Sequence, residues 1–202
     1  MPNRVRRFRT PLLAAAAAVS LSACIGLGGK TPPFLLTLDA AASPPAGAAR
    51  TAADASTLTI LIPTAPQKLR TTRIPVQQDN SSVTYVKDAQ WVEAPNRLFQ
   101  RLISETVSAS TSRVVLDEGQ YLTAPGEQLA GQLMEFGVDA RTNEAVVVYQ
   151  AMLVAAGGKT VSQRRFEARE AIGGAVEAKP VGEALTRAAN KVAGEVTGWL
   201  GG

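Results

Sequence analysis

Apolar residues recur along this chain with two different periods. Leu98, Phe99, Leu102, Ile103 and Val107 fall on one helical face, and Pro95 just ahead of them suits a first helical turn. The pattern predicts an amphipathic helix from Pro95 to about Ser110. Near the end of the chain Val181, Leu185, Ala188, Val192, Val196 and Trp199 recur at steps of four, three, four, four and three. That spacing predicts a second amphipathic helix, begun just after Pro180, with Glu183, Arg187, Lys191 and Glu195 on its outer side. The remaining apolar runs are short and rich in β-branched residues. Strands are expected at residues 34–39, 58–62, 73–76, 83–86 and 114–116, with a turn at Asp79-Asn80-Ser81-Ser82. Asp117-Glu118-Gly119 reads as another turn, and residues 120–123 as a continuation of the strand before it. The clearest β region is a set of three runs, 128–140, 144–156 and 160–169, joined by Arg141-Thr142-Asn143 and by Gly157-Gly158-Lys159. Connections of that length predict an antiparallel meander.

These elements point to an α+β fold. Two amphipathic helices and a mixed, mostly antiparallel sheet are most economically arranged as a two-layer sandwich, with both helical stripes buried on one sheet face. Residues 40–56 are an Ala, Pro and Ser mixture with no apolar period and are expected to form a flexible loop within a single domain spanning 34–199.

The start of the chain has a different character. Arg4, Arg6, Arg7 and Arg9 precede an apolar run from Pro11 to Val19, which is followed by Leu21, Ser22, Ala23 and Cys24. The three zones read as a bacterial export signal covering residues 1–23. Its apolar stretch is shorter than the ~20 residues needed to cross a bilayer, so a permanent membrane span is the weaker reading. The segment Leu21-Ser22-Ala23-Cys24 resembles the lipobox of bacterial lipoproteins. That resemblance implies cleavage before Cys24, a diacylglyceryl group on its thiol and acylation, palmitate among the acyl groups, of the new amino terminus. The mature chain would then begin with a lipidated tether, 24–33, and sit on a membrane without crossing it. Ile25 stands where an inner-membrane retention signal would place Asp, so the outer membrane is the expected site of attachment.

Charge follows from this leader. The chain carries 21 Lys plus Arg against 17 Asp plus Glu. Without the four leader arginines the balance is 17 against 17, so the basic pI gives no reason to expect a nucleic-acid partner. There is no histidine and only one cysteine, which removes Ser-His-Asp and Cys-His catalysis, His or multi-Cys zinc sites and any internal disulfide.

The chemistry that remains is sparse. Gly157-Gly158-Lys159-Thr160 ends like a phosphate-binding loop, but the required first glycine falls at Leu153 and the context is strand, turn, strand. A hairpin tip is the better reading. Asp88, Glu93, Asp117, Glu118, Glu135, Asp139 and Glu167 could supply a carboxylate pair, yet no spacing among them forms a known motif. Exposed faces and ion pairs account for them. Trp91, with Glu93 two residues on, reads first as a core or helix-entry aromatic and second as a partner contact; Trp199 at the end of the last helix carries the same pair of readings. No cofactor is expected, and the chain is not expected to be an enzyme.

Several segments together resemble one family. Phe34-Leu35-Leu36-Thr37-Leu38 after a lipobox, Thr59-Ile60-Leu61-Ile62-Pro63, Leu69 to Ile74, Tyr85 with Trp91-Val92-Glu93-Ala94-Pro95 and the Ala-rich last helix are similar to the ABC-type transport auxiliary lipoproteins, also called paraquat-inducible C-like or intermembrane-transport lipoproteins. The likeness covers nearly all of residues 20–199. One departure is Lys68-Leu69-Arg70-Thr71, where the family's Tyr-Leu-Asp-Arg piece carries an acid. The resemblance implies a periplasmic, lipid-anchored accessory in a Gram-negative envelope, working beside an ATPase, a permease and a mammalian-cell-entry type substrate-binding protein that move lipids between membranes. Self-association is left open. The competing readings are an envelope-assembly or pilot lipoprotein of another outer-membrane machine and, further off, a carboxylate-dependent hydrolase.

Overall fold

The computed structural model describes residues 32–53, 56–120 and 126–201. The leader, Leu21, Ser22, Ala23 and Cys24, most of the tether and the expected continuation at 121–123 lie outside the described residues. In chain order the elements are β1 (Thr57–Ile60), β2 (Arg73–Gln77), β3 (Val83–Gln90), α1 (Pro95–Ser110), β4 (Val114–Asp117), β5 (Glu127–Asp139), β6 (Glu144–Val154), β7 (Val161–Ala171) and α2 (Ala178–Leu200).

The sheet is built around β5. One of its edges pairs along its whole length with β6, antiparallel, and β6 pairs likewise with β7. Its other edge is divided between two strands. β1 runs parallel to the first residues of β5, from Leu58 opposite Glu127 to Ile60 opposite Leu129, while β2 runs parallel to its end at Val76 opposite Val138. The chain between them crosses the gap by a single bridge of Thr64 to Gln132. β4 extends β1 in parallel and β3 closes β2 in antiparallel register. The mixed seven-stranded sheet of the α+β fold is thus present, and its longest pairings are antiparallel.

Side chains alternate across a strand, so each run fills two faces. Leu129, Leu133, Phe136 and Val138 of β5, Ala145, Val147, Tyr149 and Ala151 of β6, and Phe166 and Ala168 of β7 all point into one core. Both helices cover that face. α1 contributes Leu98, Phe99, Leu102, Ile103 and Val107, and α2 contributes Val181, Leu185, Ala188, Val192 and Val196, all of them buried. Phe99 stands edge-on to both Phe136 and Tyr149, with centroids 6.4 and 5.3 Å apart. The Tyr149 hydroxyl donates to the Ala130 carbonyl at 2.8 Å, and burial pushes its pKa well above the ordinary phenol value.

The structure moves several expected boundaries. Residues 34–39 form no strand: Phe34 lies in a bend, and only Leu36 bridges, in parallel, to Trp91 just after β3. β1 stops at Ile60, although the Leu61 amide still donates to the Leu129 carbonyl at 2.9 Å. β3 continues four residues beyond the expected Val86, to Gln90. Its polar stretch Lys87-Asp88 is a bulge that breaks the period, with Asp88 at φ 52° and the register shifted between Arg73 and Pro75. Pro75 lies at that irregularity, where the missing N–H costs least. α2 opens at Ala178, a little before Pro180, and runs to Leu200. The loop after residue 39 has no regular structure, yet it is tied down. The Ala41 amide donates to Asn190 Oδ1 at 2.7 Å, Ser43 bonds Glu105 at 3.1 Å, and Arg50 donates to the Arg113 carbonyl at 3.0 Å.

Candidate functional site

Among the described residues, helices cover only one sheet face. On the other, strand alternation places Glu135, Gly137 and Asp139 of β5, Val146 and Val148 of β6 and Glu167 and Arg169 of β7 side by side. Here lies an open cleft of about 490 Å³, walled by Lys68, Pro75, Gln77, Asp79, Glu135, Asp139, Arg141, Val146 and Arg169. Gly137 makes its floor. A Cβ at that position would overlap the Pro75 carbonyl oxygen, so only glycine lets β2 approach β5 this closely.

The charges in the cleft pair with one another. Asp139, 8 % exposed, accepts from the Arg141 backbone at 3.1 Å, from the Arg141 guanidinium at 3.2 Å and from Arg169 at 3.4 Å. Burial alone would raise its pKa, but those donors outweigh it and hold the carboxyl below the usual carboxylate range. Arg169 also reaches Glu144 at 3.4 Å and Glu167 at 3.0 Å, and Glu167 continues to Arg165 at 3.4 Å. Lys68 closes the opposite wall on Glu135 at 2.6 Å, with Gln77 3.4 Å away. At the rim Asp79 accepts from Ser82 and Ser81, side chains and amides both, which depresses its pKa strongly and fixes the turn between β2 and β3.

In this arrangement Glu135, Asp139 and Glu167 are all engaged by basic side chains. A general acid needs a carboxyl whose pKa is raised toward neutrality, whereas Asp139 is shifted the other way. Of the seven acids singled out from sequence, Glu135, Asp139 and Glu167 share this face, each against a basic partner. The others are dispersed. Asp117 accepts from Gln100 at 2.8 Å and from Ser104 at 3.2 Å, linking β4 to α1. Glu93 is ion-paired with Arg101 at the start of α1, Asp88 sits in the β3 bulge, and Glu118 lies in the exposed turn after β4. Gly157 and Gly158, at φ 80° and 72°, form the tip of the β6–β7 hairpin. Among the described residues no cluster of three or more His, Cys, Asp or Glu could hold a metal, and no helix is long and apolar enough to cross a membrane.

The two tryptophans differ. Trp91 is 1 % exposed and stands edge-on to Phe136 with centroids 5.6 Å apart, so it belongs to the core and offers no surface to a partner. Its indole N–H has no hydrogen-bond partner among the described residues. Trp199 is half-buried, its ring 5.8 Å from Phe166, and keeps part of its surface at the end of α2. Lys68, Arg141, Arg165 and Arg169 were not among the expected site residues. The visible signal was the alternation Arg165, Glu167, Arg169, which puts charge at every second position of a strand.

Comparison with known proteins gives one sequence match and a set of fold matches. The family described as ABC-type transport auxiliary lipoprotein component matches residues 36–196. Among solved structures the chain is similar to protein XCC0632 from Xanthomonas campestris, assigned to family DUF330. The TM-score is 0.69 at 16 % identity over 83 % of this chain and 94 % of that one. It is also similar to an uncharacterized protein with a TM-score of 0.62 at 12 % identity, over 72 % of this chain and 92 % of that one. At such identities the likeness shows the fold alone. No curated protein matches the chain significantly in sequence.

Proposed function

Because the chain belongs to the family of ABC-type transport auxiliary lipoprotein components, we propose that it is the lipid-anchored docking subunit of an ABC-type system that moves lipids between the two membranes of a Gram-negative envelope. Cys24 carries the anchor, exposed to the periplasm and held in the outer membrane. The partners are a mammalian-cell-entry type substrate-binding protein, a permease and an ATPase, and ATP is handled by those chains. The family match over residues 36–196 carries this reading. The second sheet face supports it: a cleft of alternating, mutually paired charges, which no helix among the described residues shields, suits a protein partner of complementary pattern. Work by binding alone, with no chemistry of its own, agrees with the lowered pKa of Asp139 and with the pairing of Glu135, Asp139 and Glu167.

The test is purification of the acylated protein from membranes with identification of the bound chains. Recovery of an ABC ATPase, its permease and a mammalian-cell-entry type protein is expected. Recovery of a secretion or pilus assembly machine instead would favour a pilot lipoprotein.

A further inference from the structure

We propose that the exposed apolar patch of Phe34 and Val176, with Leu35 next to Phe34 in the chain, rests on the surface of the lipid bilayer that holds the Cys24 anchor; this rests on the lipoprotein reading above. Phe34 and Leu35 are each 49 % exposed and Val176 is 36 % exposed. Among the described residues the other large exposed apolar side chains are Val83, Val92 and Val161; single exposed valines are ordinary on a surface, and Val92 is joined through its backbone to Leu36, next to Leu35.

The cluster is held in place. The Leu36 amide donates to the Gln90 carbonyl at 2.8 Å and the Leu36 carbonyl accepts from Val92 at 2.9 Å, while the Leu36 side chain packs so closely on Gly182 of α2 that a Cβ there would lie 2.9 Å from it. Phe34 and Leu35 are therefore presented just ahead of a locked residue. Phe34 and Val176 line one open recess of about 440 Å³ with Pro33, Ala178 and Pro180, beside Lys87, Asp88, Glu177 and Lys179. The two lysines are matched by two acids, so the surface carries no net charge toward anionic lipid and its attraction to a bilayer is apolar.

Chain length keeps this surface within reach of the membrane that holds the anchor. Phe34 follows Cys24 by ten residues, and a fully extended chain covers at most ~3.3–3.6 Å per residue, so the cluster cannot lie more than ~35 Å from the acylated residue. An aromatic and a leucine at the end of a short tether enter the headgroup boundary, where apolar side chains leave water.

The experiment uses the full mature, acylated protein in vesicles of phosphatidylcholine whose acyl chains are brominated. Phe34→Trp adds a reporter to a protein whose own tryptophans are one buried and one half-buried. Most of the added emission should be lost to bromine, equally at low and high salt, and Leu35→Trp should behave alike if the first variant folds poorly by near-UV circular dichroism. Unquenched emission from protein that floats with the vesicles would overturn the bilayer contact while leaving the anchor intact. A Phe34→Trp spectrum already blue-shifted without vesicles, together with dimers in sedimentation, would overturn it in favour of a second copy. Absence of any acyl mass on Cys24 would overturn the anchor reading itself.

Discussion

The two faces of one sheet do different work with the same strand alternation. On the helix-covered face Phe136, Val147, Tyr149 and Phe166 are fully or almost fully buried, and the helices meet them with aliphatic and aromatic side chains. On the bare face the intervening positions carry Glu135, Asp139, Glu167 and Arg169, with Val146 and Val148 shielded between them in the strands. The first face supplies the free energy of folding, at ~1.5–3 kcal/mol per large apolar side chain removed from water. Pairing of exposed charges on the second gives only ~0–1 kcal/mol per ion pair, so its pattern is free to serve recognition. The proposed docking role would thus place stability and contact on opposite sides of one strand set.

Phe136→Ala should be the most damaging single change on the covered face, because its ring stands between Trp91 and Phe99. A loss of ~3–5 kcal/mol in denaturant unfolding is expected. Leu185→Ala, in the middle of the α2 stripe, should cost ~2–5 kcal/mol in the same measurement. If Leu185→Ala were neutral for stability but abolished partner recovery, the stripe would be an interface and the division of faces would fail.

Asp139→Asn probes the buried charge of the bare face. Its carboxyl is held below its unfolded pKa, so the charged form stabilises the native state fully above the ordinary carboxylate value. That contribution is lost as pH falls through the lower folded value. A decrease of about 1 kcal/mol near neutral pH is expected for the variant, with a flatter loss of stability between about pH 4 and more acidic values. Identical acid limbs in urea titrations of variant and parent would contradict the assignment. Lys191→Ala should have the smallest effect, under about 0.5 kcal/mol, since its contact with Glu170 is 3.9 Å and the side chain is largely exposed.

Much of the covered face was legible from sequence because a buried stripe leaves a period. Both helices, the β5–β6–β7 meander, the Asp79 turn and the hairpin glycines follow from spacing alone. What escaped depends on contacts distant in sequence. The split edge of β5, shared by β1 and β2, has no local signal, and the Lys87-Asp88 bulge hides the second half of β3 behind polar residues. The Ala-rich loop lacks apolar anchors, so its fastening through Asn190, Glu105 and Arg113 could not be read from hydropathy. Arg187 and Lys191 likewise turn from their own helix to Glu170 on β7. The cleft escaped for a related reason: Lys68, Glu135, Arg141 and Arg169 come from four separate segments, and only the fold makes them neighbours.

The division of faces is tested most directly by reversing one exposed charge on the bare face. Arg165→Glu leaves the core untouched and removes one of the two basic partners of Glu167, which keeps Arg169. Membrane purification of this variant beside the parent, with quantification of the bound chains and of unfolding midpoints, should give an unchanged midpoint and a clear loss of the co-purifying transporter subunits. Full recovery of the same subunits with the variant would contradict the assignment of contact to the bare face.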